Sequence, residues 1–269
     1  MFHHSSKMKT STLIPLFLTN AFAGALSIGR TDLVDHGLNT ALLPGEFILA
    51  NGEHLEVVDE SRLQEFLKIE GILAEPPAWD ESWLNFTYVD DINSRSSEIS
   101  ARQASCSGTT SYVTDKTDRF VDWDVQMSPV VLGAGSGVDV SVSSGWSIAN
   151  SVSVSAGLDI KVVKDRLGGT FGVDFSRTWT STTSLQYKTT IKDGDAGTWI
   201  TRPWTNRRYG RTFRGCPGSL TQTGTWIADS HEDGSYDNAK WVSGFITACI
   251  KPAPTSGQLT RCHGGGVFK

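Results

Sequence analysis

From Val138 to Val162 the chain keeps one alternation for twenty-five residues. The even positions are Val138, Val140, Val142, Ser144, Trp146, Ile148, Asn150, Val152, Val154, Ala156, Leu158, Ile160 and Val162, and eleven of these thirteen are apolar. The odd positions between them are Ser, Gly, Asp, Ala and Lys. A period of two sustained this long predicts β-structure, whereas an ordinary strand has about five or six residues. The stretch Lys164-Asp165-Arg166-Leu167-Gly168-Gly169 then supplies turn chemistry. Alternation resumes on odd positions: Phe171, Val173, Phe175, Arg177, Trp179, Leu185 and Tyr187.

That change of parity has a geometric consequence. Antiparallel partners keep a constant sum of residue numbers, and one apolar face on both arms requires the sum to be odd. A sum of 333 closes a loop at Asp165–Gly168 and pairs Val162 with Phe171, Ile160 with Val173, Leu158 with Phe175, Val154 with Trp179, Ile148 with Leu185 and Trp146 with Tyr187. The sequence thus predicts a hairpin over about 138–190 with one dry and one wet face. Ser155, Ser153 and Ser151 face Thr178, Thr180 and Thr182 on the wet side, where Asp159 also faces Asp174.

The remaining texture beyond residue 103 is also β, with strands expected at Val121–Val125, Thr198–Thr201, Thr225–Ala228 and Trp241–Ile250, and no helical period. The expected fold is mainly β: an elongated antiparallel sheet or sandwich around the hairpin, preceded by a small acidic N-terminal segment with a short helix. That helix is expected from about Ser61 to Glu70, with Leu63, Phe66 and Leu67 on one face and Gly71 as its stop.

Charge divides the chain. Residues 24–102 hold fifteen Asp/Glu against five Lys/Arg, while residues 103–269 hold fourteen against seventeen. The N-terminus has the order of a secretory signal: Lys7 and Lys9, an apolar run from Leu13 to Phe22, and Ala21-Phe22-Ala23 as a cleavage pattern ending at Ala23 and Gly24. The expected organisation is a signal peptide at 1–23, an acidic pro-segment or N-terminal subdomain at 24–102, and a disulfide-bonded β domain at 103–269. Arg102, in a polar linker, is the candidate propeptide cleavage site. Cys106, Cys216, Cys249 and Cys262 form an even set suited to two bridges, with three pairings open. Asn85-Phe86-Thr87 is a glycosylation sequon, placing a candidate glycan on Asn85. The expected location is extracellular.

A second surface candidate lies at Arg202, Trp204, Arg207, Arg208, Tyr209, Arg211 and Arg214, basic residues interleaved with aromatics that suit anionic lipid heads or glycans. Nucleic acid is not expected of an exported chain. Catalysis has no motif: there is no phosphate loop, nucleophile elbow or zinc-protease signature, and His231 and His263 are the sole histidines beyond residue 103. No enzyme activity, cofactor or metal is expected.

The Ser/Thr-alternating arms flanking the amphipathic stretch resemble the aerolysin-like β-pore-forming toxins, over roughly Val130–Thr201. The resemblance implies a soluble protomer, activation by loss of a pro-segment, and a homo-oligomer on membranes that inserts one hairpin per subunit. The inserting face, or equally the core face of a sandwich, is then Trp146, Ile148, Val152, Val154, Leu158, Ile160, Val162, Phe171, Val173, Phe175 and Trp179. The whole chain also resembles fungal secreted effector-like proteins in its signal, acidic segment, four cysteines and Gly-rich tail. The alternative function is a non-enzymatic secreted module that recognises a host glycan or protein.

Overall fold

The computed structural model describes residues 41–87, 108–181, 187–236, 239–255 and 257–269. Along the chain these form β1 (Glu46–Asn51), β2 (His54–Asp59), α1 (Glu60–Ile69), a 3-10 turn (Glu81–Asn85), β3 (Thr110–Val121), β4 (Val125–Gln126), β5 (Val131–Leu132), β6 (Val138–Ser141), β7 (Ser147–Ala149) and β8 (Ser151–Val154). Then follow α2 (Ile160–Phe171), β9 (Thr178–Thr180), β10 (Lys188–Ile191), β11 (Asp195–Arg214), β12 (Thr221–Ser230), β13 (Asp233–Tyr236), β14 (Ala239–Val242) and β15 (Gly244–Pro252). The chain is mainly β, and every ladder between these strands is antiparallel.

The organising element is β11, twenty residues long and so about 66 Å at ~3.3 Å per residue. On one edge it pairs with β3, β4 and β5 in turn, from Arg214↔Thr110 to Ala196↔Leu132. On the other it pairs with β12 and then β15, from Arg214↔Thr221 to Asp195↔Pro252. β1 joins β15, β2 joins β1, and β8 joins β12. Strands at 198–201 and 225–228 are present, and 241–250 is present with a break at Ser243 between β14 and β15, whereas the expected strand at 121–125 is instead the end of β3, a three-residue connection and the start of β4.

α1 forms where the leucine spacing places it. Asp59 caps it, its carboxylate accepting from the Arg62 amide at 2.9 Å. Leu63 and Leu67 are buried with Trp204, Val121 and Phe245, and Gly71 follows at positive φ. Because β1 and α1 build into the main sheet and its core, the acidic segment is no separate body over residues 46–69. Asn85 is exposed at the end of the 3-10 turn.

One disulfide, Cys249–Cys262, ties β15 to the C-terminal segment, and Cys216 is also bonded. Cys106, Arg102 and the cleavage pair Ala23 and Gly24 lie outside the described residues.

Candidate functional site

The parity argument holds along both arms, whereas the register and the tip do not. Val140, Val142, Ile148 and Val152 are buried while their odd neighbours 139, 141, 147, 149, 151 and 153 are exposed. On the returning arm the buried set is odd: Phe175, Trp179 and Ile191. Pairing, however, runs Val138↔Ile191 to Ser141↔Lys188 and Ser147↔Thr180 to Ala149↔Thr178. Ile148 therefore meets Trp179 rather than Leu185, which lies outside the described residues. The sums are 329 and 327, odd as required but four to six below 333.

The uninterrupted hairpin is corrected by the helix α2, which occupies its expected tip, together with the departure of β8. Asp159 does not oppose Asp174. It caps α2, accepting from the Lys161 and Val162 amides at 2.8 and 3.3 Å, while Asp174 accepts from the Ser176 amide at 2.8 Å. Val163 and Leu167 are buried against Trp226, Ala228 and Phe175, and Gly172 ends the helix with φ 66°. The Val163–Leu167–Phe171 spacing carries this helix, hidden beneath the alternation of Ile160 and Val162. β8 leaves the ribbon for β12, pairing Val152 with Ala228 and Ser153 with Ile227.

The pairs form successive antiparallel ladders in nearly one register, β6–β10 and β7–β9 being two-stranded sheets apart from the main one. The sums rise from 324 at Thr110↔Arg214 to 328 at Leu132↔Ala196, and stay within 327–329 through Ala149↔Thr178. Residues 110–149 thus run antiparallel to 178–181 and 187–214 in nearly one register, and the chain folds back between β5 and β6. The fold-back lies at Gly133, Gly135, Gly137 and Gly194. Gly135, Gly137 and Gly194 have positive φ, and a Cβ on Gly133 would collide with the Lys192 carbonyl. Beyond the bend the ribbon lays Val140, Val142, Ile148 and Trp179 on Trp199, Trp241, Val242 and Ile246. The Trp199 indole N–H donates to the Val140 carbonyl at 2.8 Å.

Of the remaining face residues, Trp146, Val154, Leu158, Phe171 and Val173 are partly buried. Ile160 and Val162 are 45% and 48% exposed. Arg177, on the dry parity, turns out to the β13–β14 hairpin: it ion-pairs with Asp233 and stacks over Trp179 at 4.4 Å. The Trp179 indole donates to the same Asp233 oxygen at 2.8 Å. Burial pushes the Asp233 carboxyl up, but those two hydrogen bonds outweigh it and hold the group below its ordinary 3.8.

A second clamp passes through His231. Its amide donates to Asn150 Oδ1 at 2.8 Å, its Nδ1 lies 3.2 Å from the same oxygen, and its Nε2 lies 3.2 Å from Thr205 Oγ1. Asn150 Nδ2 donates to the Asp174 carbonyl, so Oδ1 is the atom facing His231, and Nδ1 carries the proton. A hydroxyl, imidazole and amide in line have the geometry of a nucleophile relay. Thr205 is fully buried, and its one hydroxyl proton is shared between Asp122 Oδ2 at 2.9 Å and the unprotonated His231 Nε2, so no substrate reaches its hydroxyl. The line is a strut between ribbon and sheet.

The arginine-aromatic segment is corrected as a surface site. It lies on β11, where α1 covers the face that carries Arg202 and Trp204, and Trp83 packs on Tyr209, so all three are buried. Arg207 makes a bidentate pair with Asp229 at 2.7 Å, Arg211 pairs with Asp115, and Arg208 lies over Phe171 while bonding Ser230 Oγ at 2.9 Å. Arg214 alone of the seven is exposed. Asp124 approaches Cys249 and Cys262 as metal ligands would, but the two sulfurs are bonded to each other and offer no thiolate.

No family model, curated protein or solved structure matches the chain.

Proposed function

We propose that the protein is an exported, non-enzymatic toxin or effector that acts on membranes by releasing the folded-back ribbon and combining it with ribbons of other copies in a β-barrel. The observation that carries this reading is the succession of antiparallel ladders that sets 110–149 against 178–181 and 187–214 in nearly one register, bent at glycines, with a tip whose sequence alternates as a strand but is stored as a helix.

The length and chemistry of that tip support it. If the Ser147↔Thr180 register continues, Asn150 meets Arg177, and 151–161 face 166–176, eleven residues on each arm. About 9–11 residues cross a bilayer as a tilted strand. One side of this stretch reads Val152, Val154, Ala156, Leu158 and Ile160 against Leu167, Gly169, Phe171, Val173 and Phe175. The other side is Ser, Gly, Thr and charged residues, as a water-lined lumen requires. Asn150 and Arg177 then mark one boundary of the apolar band, and Lys164 and Asp165 the other. At such a boundary an arginine costs about 0–1 kcal/mol rather than the roughly 2–4 at midplane.

The alternative, a non-enzymatic recognition module with the ribbon as permanent core, draws on the coverage of the dry face by Trp199, Trp241 and Ile246. Dye leakage from lipid vesicles separates the two readings through Ile160→Asp. Ile160 is exposed in the stored form, so the variant should fold with an unchanged melting temperature yet lose at least tenfold in leakage rate. Absence of leakage by the parent protein across neutral, anionic and sterol-rich vesicles, or equal leakage by the variant, would overturn the membrane reading.

A further inference from the structure

Between α1 and the C-terminal segment, on the side of β11 away from Trp199, lies a cavity of about 240 Å³. Its depth is apolar: Leu63, Leu67, Val121 and Phe245 are buried there, and Phe47 meets Phe245 edge-on with ring centres 5.3 Å apart. Among them sits one charged group, Arg202, only 5% exposed. Its Nε donates to the Asp122 carbonyl at 3.0 Å and one Nη2 proton to the Ala74 carbonyl at 3.4 Å. A guanidinium has five N–H donors. Among the described residues Nη1 donates to nothing, so a buried side chain that lines the cavity keeps free donors. An acceptor that enters the cavity can take these donors.

The charges around the cavity narrow the ligand class. Asp124 lies 3.9 Å from Arg202 Nε and is itself held by the His263 amide at 2.7 Å. Glu60, Gln64 and Glu75 are exposed at the rim. An anion would have to pass two carboxylates, and a cation would end against a guanidinium. A neutral polyhydroxylated ligand escapes both conflicts, because each hydroxyl both donates and accepts. Its acceptor oxygen suits Arg202, its donors suit the rim carboxylates and Gln64, and the C–H face of a sugar ring suits Phe47 and Phe245. The volume is below the roughly 300–1,000 Å³ typical of drug-sized ligands, which fits one ring rather than an oligosaccharide buried whole.

We infer that this cavity binds a single neutral sugar unit, free or at the end of a glycan. The inference is independent of membrane insertion, since it concerns the opposite side of β11 and its test reads binding alone.

Saturation-transfer NMR on the full chain tests it with methyl glycosides of neutral hexoses and N-acetylhexosamines as probes. Glucuronic acid, glucosamine and leucine are the anionic, cationic and zwitterionic arms. At least one neutral glycoside should bind, with each charged arm at least fivefold weaker. Ala74→Phe, at an exposed rim position, should plug the mouth and weaken binding at least tenfold with an unchanged melting temperature. Arg202→Lys, which keeps the charge and loses the fork, should weaken it similarly. No binding by any neutral glycoside, tighter binding of a charged arm, or an Ala74→Phe protein that binds as the parent does overturns the inference.

Discussion

His231 and Asp233, two positions apart, hold the ribbon to the body of the fold, yet they respond to acid in different windows. Desolvation keeps the His231 imidazole below its ordinary 6.5, with the carboxylates of Asp122 and Asp229 acting the other way. The unfolded chain therefore takes up this proton more readily than the folded one. Its contribution to stability is complete above pH 6.5 and declines as the pH falls through the lower folded value. Asp233, also depressed, keeps its contribution until the pH falls below 3.8. Melting temperatures measured from pH 8 to pH 5 should decline, and His231→Gln should flatten that decline whatever its effect at pH 8. An unchanged slope would remove His231 from the account. The arginines teach a related point about single residues. Arg207 holds its proton more firmly than usual: burial works against the charge, but the Asp229 bonds outweigh it. A basic run in a sequence therefore need not be a basic surface.

α2 is the element whose local preferences and tertiary position disagree most. Ile160, Val162 and Val163 are β-branched, and Gly168 and Gly169 each weaken a helix interior by about 1 kcal/mol relative to alanine. What holds it helical is the Asp159 cap, the left-handed Gly172, and burial of Val163 and Leu167. Gly169 has nothing within 4 Å of where a Cβ would stand, so Gly169→Ala should stabilise the stored form by about 0.5–1 kcal/mol. Urea unfolding would show it as a higher midpoint. If release of this helix precedes insertion, the same variant leaks more slowly. The bend gives the opposite expectation. Gly133→Ala forces a methyl into the Lys192 carbonyl, and should cost about 1–3 kcal/mol or more by overpacking, read as a lowered urea midpoint.

At the scale of the molecule, the acidic N-terminal segment is part of the sheet over β1 and β2. Ile48, Leu49 and Ala50 pair with Ile246, Phe245 and Gly244, and α1 covers Trp204. A chain cut at Arg102 should consequently stay together without a covalent link. Both pieces should co-elute in size exclusion under native buffer and separate in denaturant. Separation in native buffer would show that β1 and α1 contribute little to holding the fold. Any activation by loss of this segment must first strip β1 from β15, which uncovers Leu49 and Phe245.

Much of this architecture was legible in the residues alone. Strand parity depends only on the fixed alternation of a pleated chain, so the dry face from 138 to 154, its switch to odd positions after the turn, and the oddness of the register all follow from sequence. The leucine spacing and flanking residues likewise marked α1. Parity leaves the register free in steps of two, and tertiary pairing selected 327–329 over 333, close to the 328 of the preceding β5–β11 ladder. The helical state of 160–171 was decided by the surface that Trp226 and Ala228 present to Val163 and Leu167, against a stronger local alternation. The fate of the arginines was decided by neighbours far away in sequence, Asp115 and Asp229 among them. Alternation is local and is read along the chain; partners, bends and burial arise between distant segments, and only packing selects them.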